Sequence, residues 1–202
     1  MWLSDITLQS IGFRVLALPI IVGIQGAVVA SAAVLLGDKG PKYDGRLTIV
    51  PACHIDFTGT ISLILFGLGW SKPIEIDAKK FRTSGIGIVT TILVGFISLL
   101  VTAMILEQLV LTALTKLPFT QGLAIAAFLR NASSLTIWAA ILSLIPLPPL
   151  TGGLLLNSIG INVSKRTHWI FAAALLAVVA TGAVNQIFDP VYSVLAPLVL
   201  GK

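Results

Sequence analysis

Three scarcities bound this chain. Charged residues make up 10% of its 202 positions, against about a quarter in soluble domains, so a water-exposed globule is excluded. There is one cysteine, Cys53, so no internal disulfide can form. There are two histidines, His54 and His168, too few for a metal site built from imidazoles alone. What the chain has instead is 56% apolar residues and a mean hydropathy of +1.02, the composition of an integral membrane protein. The net charge of +5 sits between apolar runs. It orients the chain and meets lipid headgroups rather than nucleic acid.

Four runs have the roughly 20 residues that a membrane-crossing helix needs: Ile11 to Leu36, Ser84 to Leu106, Asn131 to Leu150 and His168 to Phe188. A fifth, Thr58 to Leu68, is too short and reads as re-entrant. Keeping residues 37–83 on one side gathers Lys39, Lys42, Arg46, Lys72, Lys79, Lys80 and Arg82 there, with Lys165 and Arg166 from a later loop. The other side holds Arg14, Lys116, Arg130 and Lys202. The positive-inside rule then puts the 37–83 region in the cytoplasm. Short strands are expected at 42–57 and 70–77. Residues 107–130 read as an interfacial amphipathic segment. Arg14 and Arg130 are expected to snorkel at the outer boundary. Residues 1–202 are expected to form one all-α polytopic bundle of four to five spans with a short re-entrant β/loop region.

The loops carry a set of motifs in fixed order. Lys42-Tyr43-Asp44-Gly45-Arg46-Leu47-Thr48 precedes Pro51 and His54-Ile55-Asp56. Gly69-Trp70-Ser71-Lys72-Pro73 follows, then Pro146-Leu147-Pro148-Pro149-Leu150-Thr151-Gly152-Gly153. The order and spacing resemble the small bacterial site-2 proteases, intramembrane zinc enzymes. Their loops read roughly G-R-L-T-x-N-P-x-x-H-I-D-P-x-G, G-W-x-K-P and P-x-P-P-L-D-G-G. The resemblance implies an H-E-x-x-H zinc motif on the first helix. Such a motif sets two imidazoles on one helix face and a general base between them. Counting back from Leu36-Gly37-Asp38, it falls on Gln25-Gly26-Ala27-Val28-Val29. Gln25 and Val29 stand for the two ligands, Gly26 for the base, and Thr151 for the aspartate ligand. The family's A-G-P-x-x-N stretch maps to Val94-Gly95-Phe96-Ile97-Ser98-Leu99, without its Pro and Asn.

These substitutions give the expectation of a pseudoprotease: no enzyme, no catalytic residue, no metal, no cofactor. It would work by binding, as an accessory or assembly subunit of a larger membrane complex or as the holder of a transmembrane client. Its partners would be membrane lipids and another integral membrane protein, in a bacterial cytoplasmic membrane. Gly23, Gly26, Ala27, Ala30, Gly95, Leu99, Pro148 and Gly152 are the candidate groove, because small residues let helices approach closely in lipid. Two alternatives stand beside it: a diverged intramembrane peptidase with a non-standard site, whose ligands would converge from Cys53, His54 and Asp56 and from elsewhere, such as His168, and a lipid or quinone passage. Trp70 reads as an interfacial anchor, and His54 and Asp56 as hydrogen-bonded anchors of their loop.

Overall fold

A computed structural model describes residues 7–81, 85–158 and 165–201. The chain is an all-α polytopic membrane protein. Four helices are long and apolar enough to cross a membrane: α1 (Leu8–Leu36), α4 (Gly85–Lys116), α5 (Phe119–Leu144) and α8 (Ala183–Leu200). Between them lie α2 (Gly40–Tyr43), α3 (Phe57–Phe66), α6 (Leu154–Ser158) and α7 (Lys165–Ala180).

α1 starts at a capping box, with Thr7 accepting from the Ser10 amide and Ser10 from the Thr7 amide. Two backbone donors that helix geometry leaves orphaned are thereby satisfied. α4 and α5 form a long antiparallel hairpin against α1. Ala17, Leu18, Ile21 and Val22 of α1 pack there on Leu99 and Leu106 of α4 and Leu135 and Ala139 of α5. Trp138 of α5 stacks on Tyr192 of α8 at 4.8 Å between ring centroids. The Tyr192 hydroxyl also hydrogen-bonds Ser134 at 2.8 Å.

α3 has 10 residues, about 15 Å of helix, half of what a bilayer core requires. Asp56 starts it, accepting from the Gly59 amide at 2.8 Å and the Thr58 hydroxyl. Gly67 ends it with a φ of 76°, a left-handed conformation that glycine adopts without steric cost. The chain then doubles back, so that Ile55 and Ser71 form an antiparallel bridge. The Lys72 amide donates to the His54 carbonyl at 2.7 Å. The return is tight: a Cβ on Gly59 would lie 2.2 Å from the Trp70 carbonyl oxygen. Asp56 spans the fold-back, because it also accepts from the Trp70 indole N–H at 3.2 Å. Replacing Asp56 with Ala removes a helix cap and orphans a buried indole donor. The expected loss is about 2–3 kcal/mol, read as a lower midpoint of thermal unfolding in detergent. Asp56→Asn keeps most of the cap; a full loss in Asn as well would contradict this assignment.

Several sequence expectations are corrected here. No strand forms among the described residues, and the Ile55–Ser71 bridge stands alone. Pro51 and Pro73 have no N–H to give a ladder, and Pro51–Cys53 winds into a 3-10 turn. Ile74 and Ile76 do alternate inward, but they pack on α1 and α4 beside Val29, Ala33, Ile88 and Ile92. Residues 107–130 are the end of α4 and the first half of α5, because Leu106, Val110 and Ala113 bury against Ala126 and Leu129. The run 168–188 is broken at Thr181–Gly182, where Gly182 has a φ of 75°. It becomes a short α7 and a longer α8.

Arg14 departs from the snorkelling expectation. Arg14 is 1% exposed, and its Nη1 donates to the Ile64 and Leu65 carbonyls at 2.9 and 2.8 Å. It satisfies the free carbonyls at the α3 C-terminus, where a cation also meets the negative end of the helix dipole. Arg130 meets Glu107 across the hairpin at 3.8 Å.

Candidate functional site

Gln25 and Thr151 are 126 positions apart in sequence, and the fold brings them into contact. The Gln25 Nε2 donates to the Thr151 Oγ1 at 3.2 Å. Gln25 lies in the middle of α1, and Thr151 opens a 3-10 turn over Thr151–Gly153. The turn follows an unwound stretch. α5 stops at Leu144, Ile145 is extended, and the Pro148–Pro149 peptide is cis. Three prolines at 146, 148 and 149 cannot continue a helix. A pocket beside the contact is walled by Trp70, Leu142, Ser143 and Leu150, and leaves no room for a water molecule.

The other positions of the expected motif are packed by the chain itself. A Cβ on Gly26 would fall 2.1 Å from the Nδ1 of His54, so the imidazole lies directly on the helix backbone. The Ile49 carbonyl oxygen also lies close to Gly23, 2.8 Å from its Cβ position. Val29 is buried, with Cγ2 2.7 Å from the Cβ position of Gly95. Ala30, Leu99, Pro148 and Gly152 are buried, and Ala27 is half-buried. The candidate groove is thus filled by the 46–56 loop, by Val29 and by the Ile145 backbone.

His54 and Asp56 are tied into their loop. The His54 Nε2 bonds the Thr48 carbonyl at 2.7 Å, which makes Nε2 the protonated nitrogen. The Nδ1 is buried without a partner. Arg46 joins this loop to the next one, donating to the Cys53 carbonyl and, at 3.4 Å, to that of Pro73. Asp38 at the end of α1 does the same for the following turn, accepting from the amides of Gly40 and Asp77 at 2.9 and 2.8 Å.

Burial lowers the His54 pKa from 6.5; the Thr48 contact opposes this and the Arg46 charge adds to it. The native ring is therefore neutral where the unfolded ring takes up a proton. Its contribution to stability is full above about pH 6.5 and falls as pH drops below it. The slope is at most about 1.4 kcal/mol per pH unit for one proton. An acid titration of unfolding should show this fall, and His54→Gln should flatten it.

The side chains at the motif positions do not fit zinc. An amide and a hydroxyl are weak ligands, and the Val29 methyls are none. Among the described residues no group of three His, Cys, Asp or Glu could hold a metal.

Trp70 was the residue whose place the sequence concealed. It is 4% exposed and hydrogen-bonded to Asp56, not an interfacial anchor, and it forms one wall of the Gln25–Thr151 pocket. The indole needs an acceptor when buried, and Asp56, 14 positions earlier, was the signal available.

Comparison with known proteins adds a relative. The chain is 32% identical over 131 residues to a Bacillus subtilis (strain 168) protein named "Putative zinc metalloprotease YwhC". The likeness is to a zinc metalloprotease. The match takes in 61% of this chain and spans 58% of the relative's length. No protein-family model matches, and no solved structure matches significantly. The relative overturns the expectation of a chain without enzymatic activity. Its name carries a hydrolase activity on a related sequence, so the substitutions at Gln25, Gly26, Val29 and Thr151 do not by themselves exclude a peptidase.

Proposed function

We propose that this chain is a site-2-protease-like membrane protein that binds a transmembrane segment. The segment belongs to a client that it holds, or to a larger membrane complex in which it serves as a subunit. The Gln25–Thr151 contact carries this reading. It joins the first helix to the unwound 145–153 stretch where the resemblance expects the catalytic juncture, and it does so with neutral hydrogen-bonding groups. The relative supports the metalloprotease-like part of the reading. The basic residues of 37–83 support a cytoplasmic face for these loops in a bacterial inner membrane.

The test is purification from the native host in mild detergent, with mass spectrometry of co-eluting proteins. A stoichiometric integral membrane partner is the expected result; a protein that elutes alone and captures no membrane peptide overturns the proposal. A second reading, peptide-bond hydrolysis, is favoured by the relative's name. The same preparation tests it, through bound zinc and cleavage of a transmembrane peptide with zinc added. Binding does not depend on that outcome.

A further inference from the structure

α8 carries an acidic residue where lipid should meet only apolar ones. The helix is long and apolar enough to cross a membrane, and Val184, Ala196 and Val199 are its buried residues. Much of its outer face is apolar, with Ile187, Val191, Val194 and Leu198 exposed. Gln186, Asp189 and Ser193 are exposed beside them. Their spacing of three and four sets them in one strip along the helix.

The packing fixes the depth of that strip. Tyr192 stacks on Trp138, eight residues along α5 from the boundary charge of Arg130, or about 12 Å. Asp189 is three residues from Tyr192, at most about 5 Å along α8. It therefore lies inside the apolar part of the bundle, whichever way α8 runs. A carboxylate on one methylene cannot reach the headgroups from there as a lysine or arginine stem can. Acidic residues at such depth are costly and face a partner group or a water-filled cavity. Among the described residues no hydrogen bond or ion pair reaches the Asp189 side chain.

The strip is rich in acceptors. Pro190 and Pro197 lie inside α8, and neither has an N–H for the carbonyl four residues earlier. Those carbonyls belong to Gln186 and Ser193, so they flank the Asp189 carboxylate. The Ser193 hydroxyl is spent on the Pro190 carbonyl at 2.8 Å. Several acceptors around one negative charge match a cation with several donors, and a guanidinium has five N–H groups in a planar fork. A second copy of this chain does not supply it. Arg14 is buried on the end of α3, and Arg130 meets Glu107. The other described basic residues lie in loops, short turns or at helix ends.

We infer that Gln186, Asp189 and Ser193 form the docking strip for a partner transmembrane helix that bears an arginine at the same depth. The inference rests on the membrane-partner reading above and gives that partner a surface and a chemistry. None of the three residues lines the Gln25–Thr151 pocket.

The full chain in phosphatidylcholine nanodiscs tests it with two fluorescent Leu-rich peptides of about 22 residues, long enough to span. They differ only in a central Arg or Leu. Fluorescence anisotropy should show the Arg peptide binding about tenfold tighter, the scale of a polar contact between helices in lipid. Asp189→Asn should remove that preference and leave the unfolding midpoint unchanged, and Asp189→Glu should keep most of it. Replacing the peptide's arginine with citrulline, its neutral isostere, should give the same loss on the unaltered protein, which decides the matter should a variant fail to fold. Equal affinity for the two peptides, or a preference that survives Asp189→Asn, overturns the inference and leaves the membrane-partner reading standing. Self-association of the chain that Asp189→Asn abolishes also overturns it, because a second copy is then the occupant. Binding of neither peptide overturns it too, and the membrane-partner reading then stands or falls on the co-purification above.

Discussion

Gly26→Ala should be among the most damaging single substitutions in this chain. The added methyl would lie 2.1 Å from the His54 Nδ1 and 2.3 Å from its Cγ, well inside contact distance. His54 is fully buried, and its far nitrogen is fixed to the Thr48 carbonyl. The ring cannot retreat without breaking that bond and lifting the 46–56 loop from α1. Overpacking of this kind costs about 1–3 kcal/mol where neighbours can yield, and more where they cannot. We expect at least about 3 kcal/mol, measured as a lost or strongly lowered unfolding transition in detergent. The contact is mutual, so His54→Ala should restore much of the loss, with a coupling of order 1 kcal/mol or more in the double-mutant cycle. Additive effects of the two substitutions would show that the imidazole does not sit on Gly26. The same contact bears on any attempt to install an acidic base at position 26. A glutamate there meets the ring first, and needs His54 replaced as well.

Arg14→Met should be nearly as costly, for a different reason. The substitution keeps the apolar stem and removes the donors to the Ile64 and Leu65 carbonyls. Those carbonyls end α3 and have no helical partner of their own. Leaving them buried and unpaired costs about 1–3 kcal/mol each, so about 2–5 kcal/mol is expected. Arg14→Lys should fall between, since its single ammonium nitrogen could serve both carbonyls as Nη1 does, but it is more strongly hydrated and sits on a differently shaped stem. The loss should be local at first. Amide exchange should rise in α3 and the 67–72 return before it rises in the α4–α5 hairpin. An effect within about 0.5 kcal/mol, the size usual for exposed positions, would return Arg14 to the snorkelling role that the sequence suggested.

The two substitutions mark the limit of what sequence reading reaches. Arg14 near the start of an apolar run looks like a boundary residue, because the nearest explicit anchor for a cation there is the headgroup region. Its real partners are backbone carbonyls 50 and 51 positions away. Backbone acceptors carry no sequence signal. Glu107 and Arg130 are 23 positions apart in the sequence, and only the hairpin shows that they face each other. At Gly23 and Gly26 another group comes close to the backbone of α1. The occupants are the chain's own Ile49 carbonyl and His54 ring, which no local pattern reveals.

Apolar runs of sufficient length, broken by basic loops, determine by themselves that this is a helical membrane protein, because backbone groups in lipid must be satisfied within the segment. The Asp56 cap, the Gly67 stop and the proline cluster at 146–149 are also local, since each acts on its own few residues of backbone. Tertiary structure alone decided what meets what: Gln25 with Thr151, His54 with Gly26, Trp70 with Asp56, Arg14 with the end of α3. Those contacts join residues up to 126 positions apart. They depend on how the helices pack against one another in space, and the order of residues along each helix leaves that packing open.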